Sequence, residues 1–199
     1  MAIIAKEELA PIELVPEDTH VGRCVMLVDI GTHQTDYGPK RQIVIGWELP
    51  EVLREFDGLA EPAMLSKFYT LSLSEKANLR RDLEQWRGVA FTAAELEGFD
   101  LERLIGVPAM VSVIHKTSGG DKRATIAGLT KVHASVDVPT QQIASRVYSV
   151  ADPDATAFAA LPTWVQKQIK HSAEWQAIDQ AVDDLPEAAI DTDADGIPF

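Results

Sequence analysis

The chain has 199 residues, 46% of them apolar and 25% charged, with a formal net charge of −13. That length and balance suit one folded domain with extensions and a real core, and no apolar run approaches the roughly 20 residues a membrane helix needs. The single cysteine, Cys24, excludes an intramolecular disulfide and any zinc site built on several cysteines.

The acidic charge is unevenly spread. Between Gln176 and Phe199 there are seven acids and no Lys or Arg, whereas His20–His133 holds 14 Lys and Arg against 15 Asp and Glu. A nearly neutral middle can carry a basic groove on one face, so the total does not exclude a polyanionic partner.

In chain order, residues 1–19 read as an irregular arm, interrupted by Pro11 and Pro16 and without the basic-then-apolar order of a signal peptide. A cytoplasmic protein is expected. A first strand is expected over 21–30, with Cys24 buried and inert inside it, then a long polar loop over 31–39. The second strand, 41–49, alternates Ile43, Ile45, Trp47 and Leu49 on one face, which puts Trp47 in the core, and Pro50 closes it. A charged connection with a turn at Asp57-Gly58 leads to a third strand over 64–71. Ser74 is placed as the N-cap of a helix to Trp86, striped by Leu79, Leu83 and Trp86 and stopped by Gly88. A short helical stretch follows at 101–105. Strands four (109–115) and five (124–132) are joined through Ser118-Gly119-Gly120-Asp121. Residues 134–154 read as irregular. One helix is expected over 162–178, where Trp164, Ile169, Trp175 and Ile178 can dock on the barrel or on a second subunit. The rest of the chain is polar and acidic enough to stay disordered.

Three strands, a helix and two strands make a mainly β (α+β) chain in the order of an OB-fold: a five-stranded barrel with a helix between strands 3 and 4. The expected domains are an N-terminal arm (1–19), the OB-fold (20–150), a helical extension (151–178) and a disordered acidic tail (179–199).

Nothing in the sequence has the spacing of a phosphate-binding loop, a nucleophile elbow or paired metal-ligating histidines. No cofactor, metal or catalytic residue is expected. A metal-dependent nuclease built on scattered carboxylates is a minor alternative. Binding to a single strand needs cations along its phosphates and aromatic faces under its bases. Candidates for that work are Tyr37, Lys40 and Arg41 near the start of strand two, Lys67 and Tyr69 on strand three, Lys76, Arg80 and Arg81 on the helix, His115 and Lys116 ending strand four, and Lys122 and Arg123 opening strand five. Phe68 and Tyr69 point to opposite faces, so one of them is core; Tyr69, beside Lys67 in the pattern, is taken as the binding residue. Each cation also has a simpler use as a solvated face.

The last nine residues, Asp191-Thr192-Asp193-Ala194-Asp195-Gly196-Ile197-Pro198-Phe199, alternate acids with small residues and finish on Ile-Pro-Phe. This resembles the C-terminal tip of bacterial single-stranded DNA-binding proteins. Over about 15–180 the chain also resembles the OB-fold single-stranded DNA-binding proteins of bacteriophages, through Asp36-Tyr37-Gly38-Pro39-Lys40-Arg41, Lys67-Phe68-Tyr69-Thr70-Leu71-Ser72-Leu73 and Leu161-Pro162-Thr163-Trp164. The resemblance implies a protein that coats single-stranded DNA in replication, recombination or repair. It implies that Asp193, Asp195, Ile197, Pro198 and Phe199 recruit partner proteins, the ring and carboxylate of Phe199 together suiting an apolar pocket with a basic rim. The bacterial tetramer is not implied, because the middle of the chain departs from those proteins, and the oligomeric state stays open. An adaptor or inhibitor that binds repair or replication proteins without touching DNA is the main alternative.

Overall fold

A computed structural model describes residues 13–56 and 58–183. The chain forms six strands, β1 (Thr19–Thr35), β2 (Gly38–Phe56), β3 (Leu59–Thr70), β4 (Pro108–Ser118), β5 (Asp121–Thr130) and β6 (Arg146–Ser149). Among the described residues five α-helices accompany them, α1 (Asn78–Arg87), α2 (Ala93–Glu97), α3 (Ala155–Ala159), α4 (Thr163–Lys170) and α5 (Ala173–Asp183), with a 3-10 turn at Leu101–Leu104 where a short helical stretch was expected. The strands form one sheet in the order β3-β2-β1-β4-β5, with β6 also pairing β1. β4 runs antiparallel to both β1 and β5, and a bulge between Ser112 and Val113 shifts the β4–β5 register. The protein is mainly β with helices added. Strands β3 and β5, the two ends of the path, have Cα atoms within 8 Å of each other, and α1 approaches both. No β3–β5 ladder joins those ends among the described residues.

The first two strands are far longer than the expected spans. The polar stretch 31–39 is strand and a tight turn, because Thr35 closes it: its hydroxyl donates to the Gly38 carbonyl (2.7 Å) and accepts from the Tyr37 amide (3.2 Å). Pro50 does not end β2, since the missing N–H removes one donor and the ladder continues to Phe56. The charged connection 51–62 is likewise strand around a turn at Gly58 (φ +78°); Asp57 lies outside the described residues. Polar residues hid these hairpins because both segments are largely solvent-facing.

α1 begins at Asn78, not at Ser74, whose carbonyl closes a turn with the Ala77 amide (2.9 Å). Gly88 ends it in the left-handed region (φ +69°), as its position predicts. α2 is absent from the sequence expectations, yet its signal is present: Thr92 and Glu95 form a reciprocal capping box. The expected single helix over 162–178 is two helices. Ser172 is fully buried and its hydroxyl accepts from the Trp175 amide (3.2 Å), capping α5 as α4 ends. Residues 179–183 continue α5, so this part of the expected disordered tail is helical. The remaining tail, with its tip Asp193, Asp195, Ile197, Pro198 and Phe199, lies outside the described residues.

Contacts divide the chain into two units, one holding the chain up to Val28 with Ile43–Val147, the other Asp29–Gln42 with the chain from Tyr148 onward. The first unit has a core of Cys24, Leu27, Ile43, Ile45, Trp47, Leu49, Tyr69, Leu79, Leu83, Trp86, Val111, Val113, Ile126 and Leu129. Trp47 is fully buried and meets Trp86 edge-on at 5.6 Å, while the Trp86 indole donates to the Pro108 carbonyl (2.8 Å). Burial pushes the Cys24 thiol up to about 12, so it stays protonated and inert. The buried Glu48 carboxylate accepts the amides of Gln142 (3.1 Å) and Ile143 (2.7 Å), and Arg23 donates to the carbonyls of Gly106 and Pro139. The Glu48 bonds and the Arg23–Pro139 bond fasten the loop after β5, and the Arg23–Gly106 bond holds the segment before β4.

In the second unit the tip of the β1–β2 hairpin packs with the C-terminal helices. Gly31 sits at φ +81°, and a Cβ there would lie 2.6 Å from that of Ser172, so only glycine fits. The Thr32 amide and hydroxyl both donate to Glu174 (2.7 Å each). Burial opposes charge on Glu174, but the Thr32 bonds, its own amide and Arg41 outweigh it and hold the carboxyl below its ordinary range. Phe158 stacks on Trp175 at 4.9 Å and meets Tyr148 at 5.7 Å.

Candidate nucleic-acid interface

The β4–β5 hairpin carries three exposed cations, Lys116, Lys122 and Arg123. The ladder pairs Lys116 with Arg123 and Thr117 with Lys122 across two adjacent rungs. Residues opposite one another share a face, so Lys116 and Arg123 project together beside Ile114 and Thr125, away from buried Val113 and Ile126. Like charges in that position repel, at roughly 0.2–1 kcal/mol. Arg123 has one acidic neighbour, Asp121 at 3.6 Å, with both side chains about three-quarters exposed. Lys116 and Lys122 are exposed and make no ion pair among the described residues. Glu17 faces this end of the strands; the His115 amide donates to it (2.6 Å), and that bond, with smaller help from Lys122, holds its carboxyl below the usual range.

The β3–α1 cations are arranged differently. Lys67 lies 2.6 Å from the buried Asp82 carboxylate, which also accepts the Tyr69 hydroxyl (2.9 Å) and lies 3.4 Å from Arg81. Tyr69 is 3% exposed, and burial together with the Asp82 charge pushes its hydroxyl above the ordinary range. This corrects the assignment of Tyr69 as a base-stacking residue: its ring is part of the core and its hydroxyl is committed to Asp82. The exposed aromatic on this strand is Phe68, at 47%. The alternation showed that one ring had to be core, but only the sheet decided which. Arg80 is paired with Glu84 (3.0 Å), while Lys76 is exposed before α1. Arg87 pairs with Glu95 and lies over the rings of Phe91 (4.5 Å) and Phe99 (5.1 Å). An open cavity of about 330 Å³ beside them is lined mainly by Leu71, Leu73, Leu79, Leu96, Phe99 and Leu101. Ser72, Glu97 and Gly98 complete the lining, which includes no cation for a phosphate.

In the second unit, Tyr37 is presented at the turn of the β1–β2 hairpin with 88% of its surface exposed, and Lys40 is exposed nearby. Arg41 is engaged instead by Asp29, through both carboxylate oxygens. Asp29 also accepts the Ser149 hydroxyl (3.2 Å) and the Gly31 amide (3.1 Å).

The expected site residues therefore fall into two groups. Tyr37, Lys40, Lys76, Lys122 and Arg123 are presented to solvent; Arg41, Lys67 and Arg80 are held by carboxylates, and Tyr69 is buried. Lys116, a candidate at the end of strand four, is likewise presented to solvent, directly before the hairpin turn. Among the described residues no cluster of three or more His, Cys, Asp or Glu is arranged to hold a metal ion, and no helix is long and apolar enough to cross a membrane. Comparison with known proteins finds no matching family model and no curated protein of similar sequence.

Proposed function

We propose that this chain is a sequence-independent single-stranded DNA-binding protein, of the type bacteriophages encode, built on an OB-type barrel. In this reading it coats replication and recombination intermediates and recruits DNA-processing proteins through its acidic C-terminal tip. The observation that carries it is the pairing of Lys116 with Arg123 on one face of the β4–β5 hairpin. A cross-strand pair of like charges is unfavourable by itself and becomes favourable when a phosphate lies between them. The strand order supports the barrel: β3-β2-β1-β4-β5 is the Greek-key path of an OB-fold, its ends lie close, and α1 falls between β3 and β4. Tyr37 and Phe68 supply exposed rings for bases, which stack without regard to sequence.

The test is a titration of fluorescein-labelled oligothymidine across a salt series, with duplex and RNA as competitors. The expected result is salt-sensitive binding that prefers the single strand, with a log–log slope near −0.7 per phosphate contacted. No detectable binding at low salt would sink the reading. The net charge of −13 and the carboxylates that hold Arg41, Lys67 and Arg80 favour a second reading, an adaptor that engages replication or repair proteins alone. Reversing Lys116 and Arg123 to glutamate separates the two: it abolishes DNA binding under the first and leaves partner capture intact under both.

A further inference from the structure

The proposed DNA-binding residues leave out the outer half of the β2–β3 hairpin. On β2 its solvent face reads Glu51, Leu53 and Glu55, alternate residues that project together and are all exposed. On β3, Leu59 and Glu61 repeat the leucine and acid two residues apart. Leu53 is 55% exposed and Leu59 65%; among the described large apolar side chains only Tyr37 is more exposed than Leu59. Exposed apolar groups rimmed by charge mark contact surfaces. Glu51, Glu55 and Glu61 make no ion pair among the described residues, and Arg54 belongs to the opposite face of β2.

The β4–β5 hairpin is the complement of this surface. Ile114, 37% exposed, and Lys116 lie two residues apart on one face, with Arg123 opposite Lys116. Leu53 and Glu55 share that strand repeat, about 6.7 Å for two residues, so the leucine can meet Ile114 while the acid meets Lys116 and Arg123. Both hairpins stand at one end of the sheet. β4 pairs with β1 from Arg23↔Pro108 to Thr19↔Ser112 and then continues past the start of β1 to its own turn. β2 returns along β1 from the turn at Asp36 and Tyr37, so its far end also lies beside the start of β1. A second copy related by a twofold axis therefore brings each acidic hairpin to the basic hairpin of the other, in two equivalent contacts.

We propose that this end of the sheet is a dimer surface, with the β2–β3 hairpin of each copy seated on the β4–β5 hairpin of the other. The contact relieves the Lys116–Arg123 repulsion and covers Leu53. A net charge of −13 per copy opposes association, but at about 0.1 M salt charges more than about 10 Å apart are screened while pairs in contact are not. The proposal does not rest on the single-strand reading; where both hold, DNA and the second copy exclude each other at Lys116 and Arg123.

The test is sedimentation velocity of the full chain across a concentration series. At about 0.1 M salt the expected result is a concentration-dependent shift from monomer to dimer, which about 1 M salt reverses. Glu51→Lys with Glu55→Lys, and separately Lys116→Glu with Arg123→Glu, are expected to sediment as monomers. Mixed one to one, these two variants carry matched charges at both contacts and are expected to dimerise again, which a misfolded variant could not do. Leu53→Ser is expected to raise the dissociation constant about tenfold for each of its two contacts. A wild type that stays monomeric at every concentration overturns the proposal. So does a dimer that survives either charge reversal, or a mixture that stays monomeric while each variant melts as the wild type does. If a charge variant melts early, Leu53→Ser decides, and an unchanged dissociation constant overturns the proposal.

Discussion

The β3–α1 surface carries four cations of the first unit and the β4–β5 hairpin three, and the two place them in opposite settings. At β3–α1 each cation has a carboxylate: Lys67 and Arg81 converge on Asp82, Arg80 meets Glu84 and Arg87 meets Glu95. At the hairpin Lys116 faces Arg123 across the ladder, and Asp121 is the one acid in an ion pair with any of the three among the described residues. The number of Lys and Arg residues therefore does not measure the charge available to a partner. What matters is whether folding has already supplied a counter-ion. On the first surface Lys67 ties a strand to a helix through Asp82; on the second Lys116 and Lys122 make no ion pair among the described residues.

That contrast can be broken most forcefully at Asp82. Asp82→Ala leaves Lys67 half-buried without its partner and the Tyr69 hydroxyl without its acceptor, and should cost about 3 kcal/mol in urea denaturation. A loss below about 0.5 kcal/mol would mean that the β3–α1 cations are no more committed than the hairpin pair. Next, Phe68→Ala should weaken oligothymidine binding about tenfold. Tyr69→Phe should do the reverse, costing about 1 kcal/mol of stability with unchanged DNA affinity.

A smaller effect is expected from Glu174 in the second unit. Its carboxyl is held below the ordinary 4.5 by Thr32 and Arg41 against the opposing pull of burial. The stabilisation is thus complete above that value and disappears as the pH falls through the lower folded-state value. Glu174→Gln should cost about 1 kcal/mol at neutral pH, and the difference from wild type should shrink in melts below pH 4.5. The smallest effect belongs to the hairpin. Lys116→Gln should raise stability by a few tenths of a kcal/mol as repulsion is relieved, while lowering the salt slope for DNA by about 0.7. A loss of stability would show that the pair is structural.

The sequence by itself determined the elements whose residues face a core. The alternation of Ile43, Ile45, Trp47 and Leu49 marked β2, the Leu79-Leu83-Trp86 stripe marked α1, and Gly88 and the Gly119-Gly120 pair marked where segments turn. These signals are local, because burial periodicity and left-handed backbone are written in neighbouring residues. The length of the β1–β2 and β2–β3 hairpins was not legible, since their outer halves are polar and are held by cross-strand hydrogen bonds. The break at Ser172 is capped locally by its own hydroxyl, while its burial against Gly31 comes from a segment far away in the chain. For the candidate site the sequence supplied the cations and rings, while only tertiary structure sorted them. Asp82 and Lys67, or Asp29 and Arg41, become partners through packing, and burial of Tyr69 rather than Phe68 follows from which face of β3 meets α1. Charge is a property of the residue, but its availability is set by the nearest carboxylate, and that neighbour is chosen by the fold.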